Sequence, residues 1–478
     1  MKPSPKKNFV YNLVYQVLAM IIPILTAPYL ARTLGAAGIG TYSYTHSIVY
    51  YFMLLTMLGI NNYGNRTIAK VRDDKEKLSK TFWSIYSLQL CVGTIMLLLY
   101  LGYVALLENQ YPIISMIQSL FIVSAILDIN WLFFGLEEFK KTVTRNSIVK
   151  LCNVVFIFLF VKDSSDVWKY TLIMSGMTCI SQLVLWGFAR KKIKFVLIKI
   201  RDIKAHIKPN LILFIPVIAV SLYKMMDKIM LGSISGMTEV GFYENAEKIT
   251  SIPLMLITAL GTVMLPRMSN IIAKGNTKQA STYISKSISF VMFASLAMFA
   301  GLAAVGRNFA PLFFGEEFRK TGTLIMMLSS TLPMISFANV LRTQFLIPKE
   351  KDKIYIKSVF LGAAINLIMN LIFIPPYGSI GACFGTIAAE FIVMAYQAFA
   401  IRNELPIRQY LKQSLPFLIK AIIMLGFIYP LNLVNLNPYV RLAAQILAGI
   451  VISSLLNFRY ISSLLNLKKL KFSRPPRH

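Results

Sequence analysis

Basic residues recur at almost every second gap between long apolar stretches of this 478-residue chain, and that alternation ties it to one environment. A run of about 20 apolar residues crosses the hydrocarbon core of a bilayer as a helix, and Lys and Arg collect in the gaps left on one side. The first such run is 9–29; the others read near 40–60, 83–105, 111–134, 148–162, 167–189, 211–233, 242–266, 284–306, 322–347, 355–375, 379–401, 414–434 and 439–459. The sequence therefore predicts an all-α polytopic membrane protein of about 14 transmembrane helices.

Placing Lys2, Lys6 and Lys7 on the cytoplasmic side puts the basic gaps Arg66–Lys80, Lys140–Lys150, Arg190–Lys208, Arg267–Lys286, Arg342–Lys357 and Arg402–Lys412 there too, together with the tail from Arg459. The opposite gaps carry only Arg32, Lys162, Lys169, Arg307, Arg319 and Lys320 at or near them. An even number of spans leaves both termini cytoplasmic, in a bacterial inner membrane. The net charge of +30 would suggest nucleic acid in a soluble protein. Here the excess sits on one membrane face, where anionic phospholipid headgroups attract it, and no nucleic-acid partner is expected.

Between 189 and 210, Phe195, Leu197 and Ile200 interleave with Lys191, Lys194, Lys199 and Arg201, a pattern suited to a helix lying in the interface as a strap between two halves. Cys91, Cys152, Cys179 and Cys383 all fall inside apolar runs and read as packing residues. Phe9–Arg32 has no clear small-residue cleavage site after it, so it reads as a retained first helix.

Soluble chemistry finds no support. There is no Gly-x-x-x-x-Gly-Lys loop for nucleotide phosphates and no His-Glu-x-x-His pair for zinc. The only histidines are His46, His206 and His478, so no histidine metal site or other cofactor is expected. Asp73-Asp74 lies in a mixed-charge loop and reads as solvated surface, and the outward gaps are too short to fold a catalytic domain. The chain reads as a transporter, not an enzyme.

Transporters are often built from two related halves, and two stretches here repeat. Leu34-Gly35 precedes Gly40-Thr-Tyr42 with Ile48 beyond; Leu231-Gly232 precedes Gly241-Phe-Tyr243 with Ile249 at the same distance from the tyrosine, and the second copy has four extra residues in its turn. Pro23 and Pro216 sit inside the two leading helices. The expected organisation is an N-terminal six-helix lobe at 1–190, an interfacial basic linker at 191–210, a C-terminal six-helix lobe at 211–405, and two additional helices with a basic tail at 406–478.

At these residues the chain resembles the polysaccharide-transporter branch of the multidrug/oligosaccharidyl-lipid/polysaccharide exporter superfamily, the Wzx-type oligosaccharide flippases. The matching stretches are Pro28-Tyr-Leu-Ala-Arg32-Thr-Leu-Gly-Ala-Ala-Gly-Ile-Gly40-Thr-Tyr42, Asp227-Lys-Ile-Met-Leu-Gly232 with Glu239-Val-Gly-Phe-Tyr243, and Leu346-Ile-Pro348 with Asn366, Asn370, Pro375 and Gly378-Ser-Ile-Gly381. The resemblance implies two six-helix lobes in a V around a cavity open alternately to each side, with an undecaprenyl-pyrophosphate-linked oligosaccharide as cargo. Polysaccharide polymerase and glycosyltransferases are the partners it implies. One departure is that the first helix carries no charge from Tyr11 to Tyr29, whereas the related lipid II flippases have arginines there.

A charged side chain at mid-bilayer costs roughly 3 kcal/mol, so it normally faces a cavity or a partner. Lys224, Asp227 and Lys228 share one helix face, and Glu244, Glu247 and Lys248 repeat the spacing on the next helix. Lys224, Lys228 and Lys248 can neutralise a pyrophosphate that has left water; alternatively Asp227, Glu244 and Glu247 pair with these lysines to tie two helices together. Arg32 is a further cavity cation or a headgroup anchor. His46 lies among Tyr42, Tyr44, Tyr50 and Tyr51, which suit sugar rings or an interfacial belt. Arg342 is another cation at membrane depth. Asp227, Glu390 and Asp128 are candidate acids for coupling to a proton or sodium gradient, Glu390 lying beside Ala388 and Ala389, where helices can approach closely. A multidrug/cation antiporter of the same superfamily and a lipid II-type flippase are the alternatives.

Overall fold

In this computed structural model the chain is helical along nearly its whole length. The structure describes residues 5–471, with side chains from Met20 to Leu464 apart from Phe139, Pro216, Ala219, Tyr223 and Lys224. The first helix, α1 (Pro5–Met57), is 53 residues long. At about 1.5 Å per residue it would measure about 80 Å, well over twice the thickness of a hydrocarbon core. It is broken at Gly35, whose φ of 68° and ψ of 176° only glycine adopts without strain. One continuous segment therefore makes two crossings.

The amino-terminal half continues with α2 (Ile60–Val71), α3 (Lys75–Leu106), α4 (Pro112–Leu127), α5 (Asn130–Gly135), α6 (Phe139–Phe160) and α7 (Val167–Ala189). After the linker come α8 (Ile200–Ser235), α9 (Met237–Ala273), α10 (Thr277–Phe314), α11 (Arg319–Ser329), α12 (Thr331–Leu341), α13 (Asp352–Tyr377) and α14 (Ser379–Ala400). Then α15 (Ile407–Ile428), α16 (Pro438–Leu456) and α17 (Phe458–Lys471) complete the chain. Among the described residues 12 helices are long and apolar enough to cross a membrane, or 13 when Ile200–Ile215 and Val220–Ser235, which meet at 57°, count as one broken span. The double crossing of α1 brings the helices to the number expected from the sequence.

Residues Met1–Glu244 with Leu367–Ala382 form one compact unit, and Asn245–Asn366 with Cys383–His478 form the other. Within the first, α2 is amphipathic: Ile60, Gly64 and Ile68 are buried while Arg66 and Lys70 are exposed. Gly64 admits the indole of Trp131, which a Cβ would approach to 2.7 Å, and Trp131 stacks on Phe82. Backbone broken inside a membrane must be satisfied by neighbouring groups. At the break between α4 and α5, Gln89 Nε2 donates to the carbonyls of Ala125 and Asp128 at 2.7 and 2.8 Å, and Trp186 Nε1 donates to Leu127 at 3.0 Å. Trp131 Nε1 in turn donates to Gln89 Oε1 at 3.1 Å. Trp131→Ala is expected to cost about 3–5 kcal/mol, because it removes a fully buried indole and the donor that holds Gln89. Thermal unfolding in detergent reads this as a lowered midpoint.

The linker departs from the expected interfacial helix. After Ala189 the chain turns and then runs without helix until Ile200. Backbone groups that would have served a helix bond elsewhere: Trp83 Nε1 donates to the Lys194 carbonyl at 2.9 Å, and Lys194 N donates to Ser79 Oγ at 3.1 Å. Glu138 fixes the start of the strap by pairing with both Lys192 and Lys141 at 2.6 Å. Burial pushes the Glu138 carboxyl upward, but the two ammonium groups prevail and hold it below the ordinary value. A depressed folded pKa means stability that is present above the unfolded value, about 4.3, and lost as pH falls through the lower folded value. Glu138→Gln is thus expected to increase proteolytic cleavage in 190–199 at neutral pH, with the difference from the parent closing as the pH falls below the ordinary carboxylate range.

The second unit is built around α10, which packs against α11, α12, α15 and α16. Its core joins Ile284, Ile288 and Val291 of α10 to Phe337, Leu341 and Phe345. A second cluster, Leu296, Ala300 and Ala304 against Ala421, Met424 and Ile428, fastens the additional helices. The polar lock at that junction is Asn308, whose Nδ2 donates to Asn432 Oδ1 at 2.8 Å and to Gln445 Oε1 at 3.0 Å.

Candidate functional site

The repeat noted in the sequence becomes sharper in three dimensions. Helix α8 ends at Gly236, with φ 92° and ψ 169°, the same unusual conformation that breaks α1 at Gly35. With Gly35 placed on Gly236, one constant offset carries Ala36, Gly40, Tyr42, Ser43 and Ile48 onto Met237, Gly241, Tyr243, Glu244 and Ile249. The four extra residues of the sequence alignment disappear. Gly232, which that alignment matched to Gly35, instead lies against the ring of Tyr44.

The two equivalent helices meet at their glycines. A Cβ on Gly40 would overlap the Met237 carbonyl, and a Cβ on Gly241 would overlap the Ala36 carbonyl. The contact is reciprocal, since Ala36 and Met237 are themselves equivalent, so the crossing has local two-fold character. Small residues let backbones approach this closely inside a membrane. Next to it, Ser43 Oγ donates to Glu244 Oε2 at 2.8 Å, joining two equivalent positions.

The equivalence also exposes an asymmetry. Where the second repeat has Asp227 and Lys228, the first has Thr26 and Ala27, and where the second has Glu244 the first has Ser43. At these three positions the charge therefore sits on the second repeat, whereas Arg32 of the first has Ser233 as its counterpart. Lys228 is buried and pairs with Glu244 at 2.7 Å. Asp227, buried as well, accepts from Tyr243 Oη at 2.9 Å and from Asn370 Nδ2 at 2.6 Å. His46 stacks on Tyr42 at a ring-centroid distance of 5.6 Å, meets Phe121 edge-on at 5.0 Å, and lies one turn along α1 from Ser43, which donates to Glu244. Tyr170 closes on Tyr42 at 4.6 Å. A buried ammonium and two carboxylates thus adjoin a patch of aromatic rings and hydroxyls. The ammonium can pair with an anion that takes the place of Glu244, the carboxylates can hold a small cation, and the rings can stack against a sugar face.

Of the residues singled out from the sequence, Asp227, Lys228 and His46 come together here. The side chain of Lys224 lies outside the described residues. Arg32 is exposed near the end of the first crossing of α1. Asp128 lies at the break between α4 and α5 and accepts from Asn130 N at 2.8 Å and Asn130 Nδ2 at 2.6 Å. Lys248, Arg342 and Glu390 belong to the second compact unit. Arg342 opens a π-helical turn, donates to Tyr355 Oη at 3.1 Å and lies over that ring. Glu390 is buried on α14, one residue from Ala389, whose backbone approaches Gly362 of α13. Sequence reading missed Ser43, Tyr170 and the role of Asn370. Ser43 was within reach, because the aligned repeat places it opposite Glu244; Tyr170 had no such signal.

The architecture is a polytopic helical membrane protein with a broken, charged second-repeat helix, and it fits the multidrug/oligosaccharidyl-lipid/polysaccharide exporter superfamily that the sequence resembles. The sequence pattern of the family described as "Polysaccharide biosynthesis protein" matches residues 6–272, and that of "Lipid II flippase MurJ" matches residues 151–447. The chain belongs to the polysaccharide biosynthesis protein family, in the polysaccharide-transporter branch of that superfamily. It is 24% identical to the "Putative O-antigen transporter" of Escherichia coli (strain K12), covering 84% of this chain and 98% of that one. The "Probable low-salt glycan biosynthesis flippase Agl15" of Haloferax volcanii is 22% identical over half of each chain. Among solved structures, "Lipid II flippase MurJ, inward closed conformation" superposes with a TM-score of 0.78 at 17% identity, over 96% of this chain and 99% of that one. A multidrug resistance MATE family transporter in its inward-facing conformation gives 0.61 at 15% identity, over 82% and 99%.

Proposed function

We propose that this protein is a flippase that moves undecaprenyl-pyrophosphate-linked oligosaccharide units from the cytoplasmic to the outer leaflet of a bacterial inner membrane, by alternating access, for surface polysaccharide synthesis. The observation that carries the reading is the Lys228–Glu244 pair beside the aromatic patch of His46, Tyr42 and Tyr170. A pyrophosphate taken out of water needs cations in a low-dielectric place, and Lys228 provides one whose present partner can be exchanged. Lys224, Lys248, Arg32 and Arg342 are the further cations assigned to the cargo path. The names of the curated relatives, O-antigen transporters and a glycan biosynthesis flippase, support the same cargo class. The two termini are assigned to the cytoplasm, and reporter fusions that place 190–208 outside would reverse this topology. Polymerase and glycosyltransferases are the functional neighbours of such a carrier.

Energy for turnover is assigned to an ion gradient or the membrane potential, which supplies about 2.3 kcal/mol per charge per 100 mV. Asp227 and Glu390 are the coupling acids, with Asp128 the next to examine. The test is translocation of a labelled lipid-linked oligosaccharide in proteoliposomes under imposed proton, sodium or electrical gradients. Asp227→Asn is expected to leave cargo binding intact and to remove the gradient dependence. If Asp227→Asn and Glu390→Gln both keep full gradient-driven transport, these acids are not the coupling site. Drug efflux without movement of the labelled lipid would instead make the chain a multidrug antiporter, and transport confined to lipid II would place it with that flippase.

A further inference from the structure

The strap between α7 and α8 carries a surface that the transport site does not use. Phe195, Leu197 and Ile200 are 72%, 85% and 72% exposed, and large apolar side chains grouped on a surface mark a place where something apolar docks. Lys191, Lys194, Lys199 and Arg201 stand exposed among them. From Arg190 to Lys208 Asp202 is the sole acid, and it is already engaged by Lys80 at 3.2 Å. The strap cannot retract its apolar side chains, because it is pinned from beneath. Trp83 and Ser79 hold the backbone of Lys194, Glu138 holds Lys192, and the ring of Phe195 meets Trp83 edge-on at 5.1 Å. What remains outward is a fixed, extended segment with apolar wedges and an excess of positive charge.

We infer that this strap docks on anionic phospholipid, with Leu197 and Ile200 in the acyl boundary and Lys191, Lys194, Lys199 and Arg201 on the headgroup phosphates. Apolar insertion alone would accept any lipid; the cations make the site selective for net negative headgroups, since each basic residue adds its own attraction at an anionic surface. The same segment joins two helices of the transporter, so the lipid holds the linker at a fixed depth. The inference is independent of which cargo the protein carries.

The experiment uses the full chain in nanodiscs of phosphatidylcholine, with a tryptophan introduced by Leu197→Trp and the quenching of the four native tryptophans, measured on the parent protein, subtracted. A minor fraction of brominated phosphatidylglycerol is compared with the same fraction of brominated phosphatidylcholine. The expected result is quenching by the anionic lipid about twofold or more above that by the neutral one, with the excess removed by the combined Lys191→Gln, Lys194→Gln, Lys199→Gln and Arg201→Gln variant and by high salt. Equal quenching by the two lipids overturns the anionic selectivity, and no quenching by either overturns the docking itself. Should Leu197→Trp fail to fold, Ile200→Trp reports on the same surface. Loss of oligosaccharide transport in the parent protein would count against the proposed cargo and leave this lipid result unchanged.

Discussion

Replacing Gly40 or Gly241 by alanine is expected to abolish export and to lower the thermal unfolding midpoint, although each change adds a single methyl group. At both positions that methyl falls on a backbone carbonyl of the opposing helix, Met237 for one and Ala36 for the other. A side chain in the way can rotate; a carbonyl inside a helix cannot move without moving the helix. Overpacking of this kind costs about 1–3 kcal/mol, and the two substitutions together are expected to exceed either alone, because they push the same pair of helices apart. Gly176 serves as the control, since a Cβ there would meet nothing within 4 Å. Gly176→Ala is expected to be neutral or to stabilise α7 by up to about 1 kcal/mol, through helix propensity alone. If Gly40→Ala unfolds and exports like Gly176→Ala, the reciprocal crossing has no part in the transport cycle.

That crossing marks the boundary of what the sequence makes legible. The spans can be read because a bilayer imposes length and apolarity. The charges of Asp227, Lys228 and Glu244 stood out because their placement at membrane depth is costly. Other features depend on contacts no local pattern encodes. Leu34-Gly35 looked like the partner of Leu231-Gly232, yet the left-handed conformation that defines the turn belongs to Gly236, and a glycine's φ is not written in its neighbours. The extended course of 191–199 was likewise hidden. Its periodicity admits a helix, and the outcome is decided by Trp83, Ser79 and Glu138, all distant in sequence. The break at Asp128 has no proline or glycine to announce it; Gln89, Trp131 and Trp186 make it tolerable by satisfying its carbonyls.

Lys228→Ala is expected to reduce export severely, and the companion change at Glu244 separates two causes of that loss. Lys228 and Glu244 are both largely buried, with side chains 9% and 17% exposed, so removing the lysine alone takes a 2.7 Å cation away from a buried carboxylate. Breaking a buried pair from one side costs about 3–5 kcal/mol, enough to lower the amount of folded protein whatever the lysine does for cargo. In Lys228→Ala with Glu244→Ala both members of the pair are gone, so the folded amount is expected to recover toward that of the parent. If the lysine serves only to tie α8 to α9, export returns with it. If Lys228 exchanges Glu244 for the pyrophosphate of the carrier lipid, the double variant folds but does not export. Lys228→Arg keeps the charge and is expected to retain part of the transport, its planar guanidinium fitting less well in a space shaped around an ammonium. Quantifying folded protein and labelled-lipid translocation for the four variants in the same membranes gives the answer. A double variant that exports normally removes Lys228 from cargo recognition and leaves the pair as a structural tie.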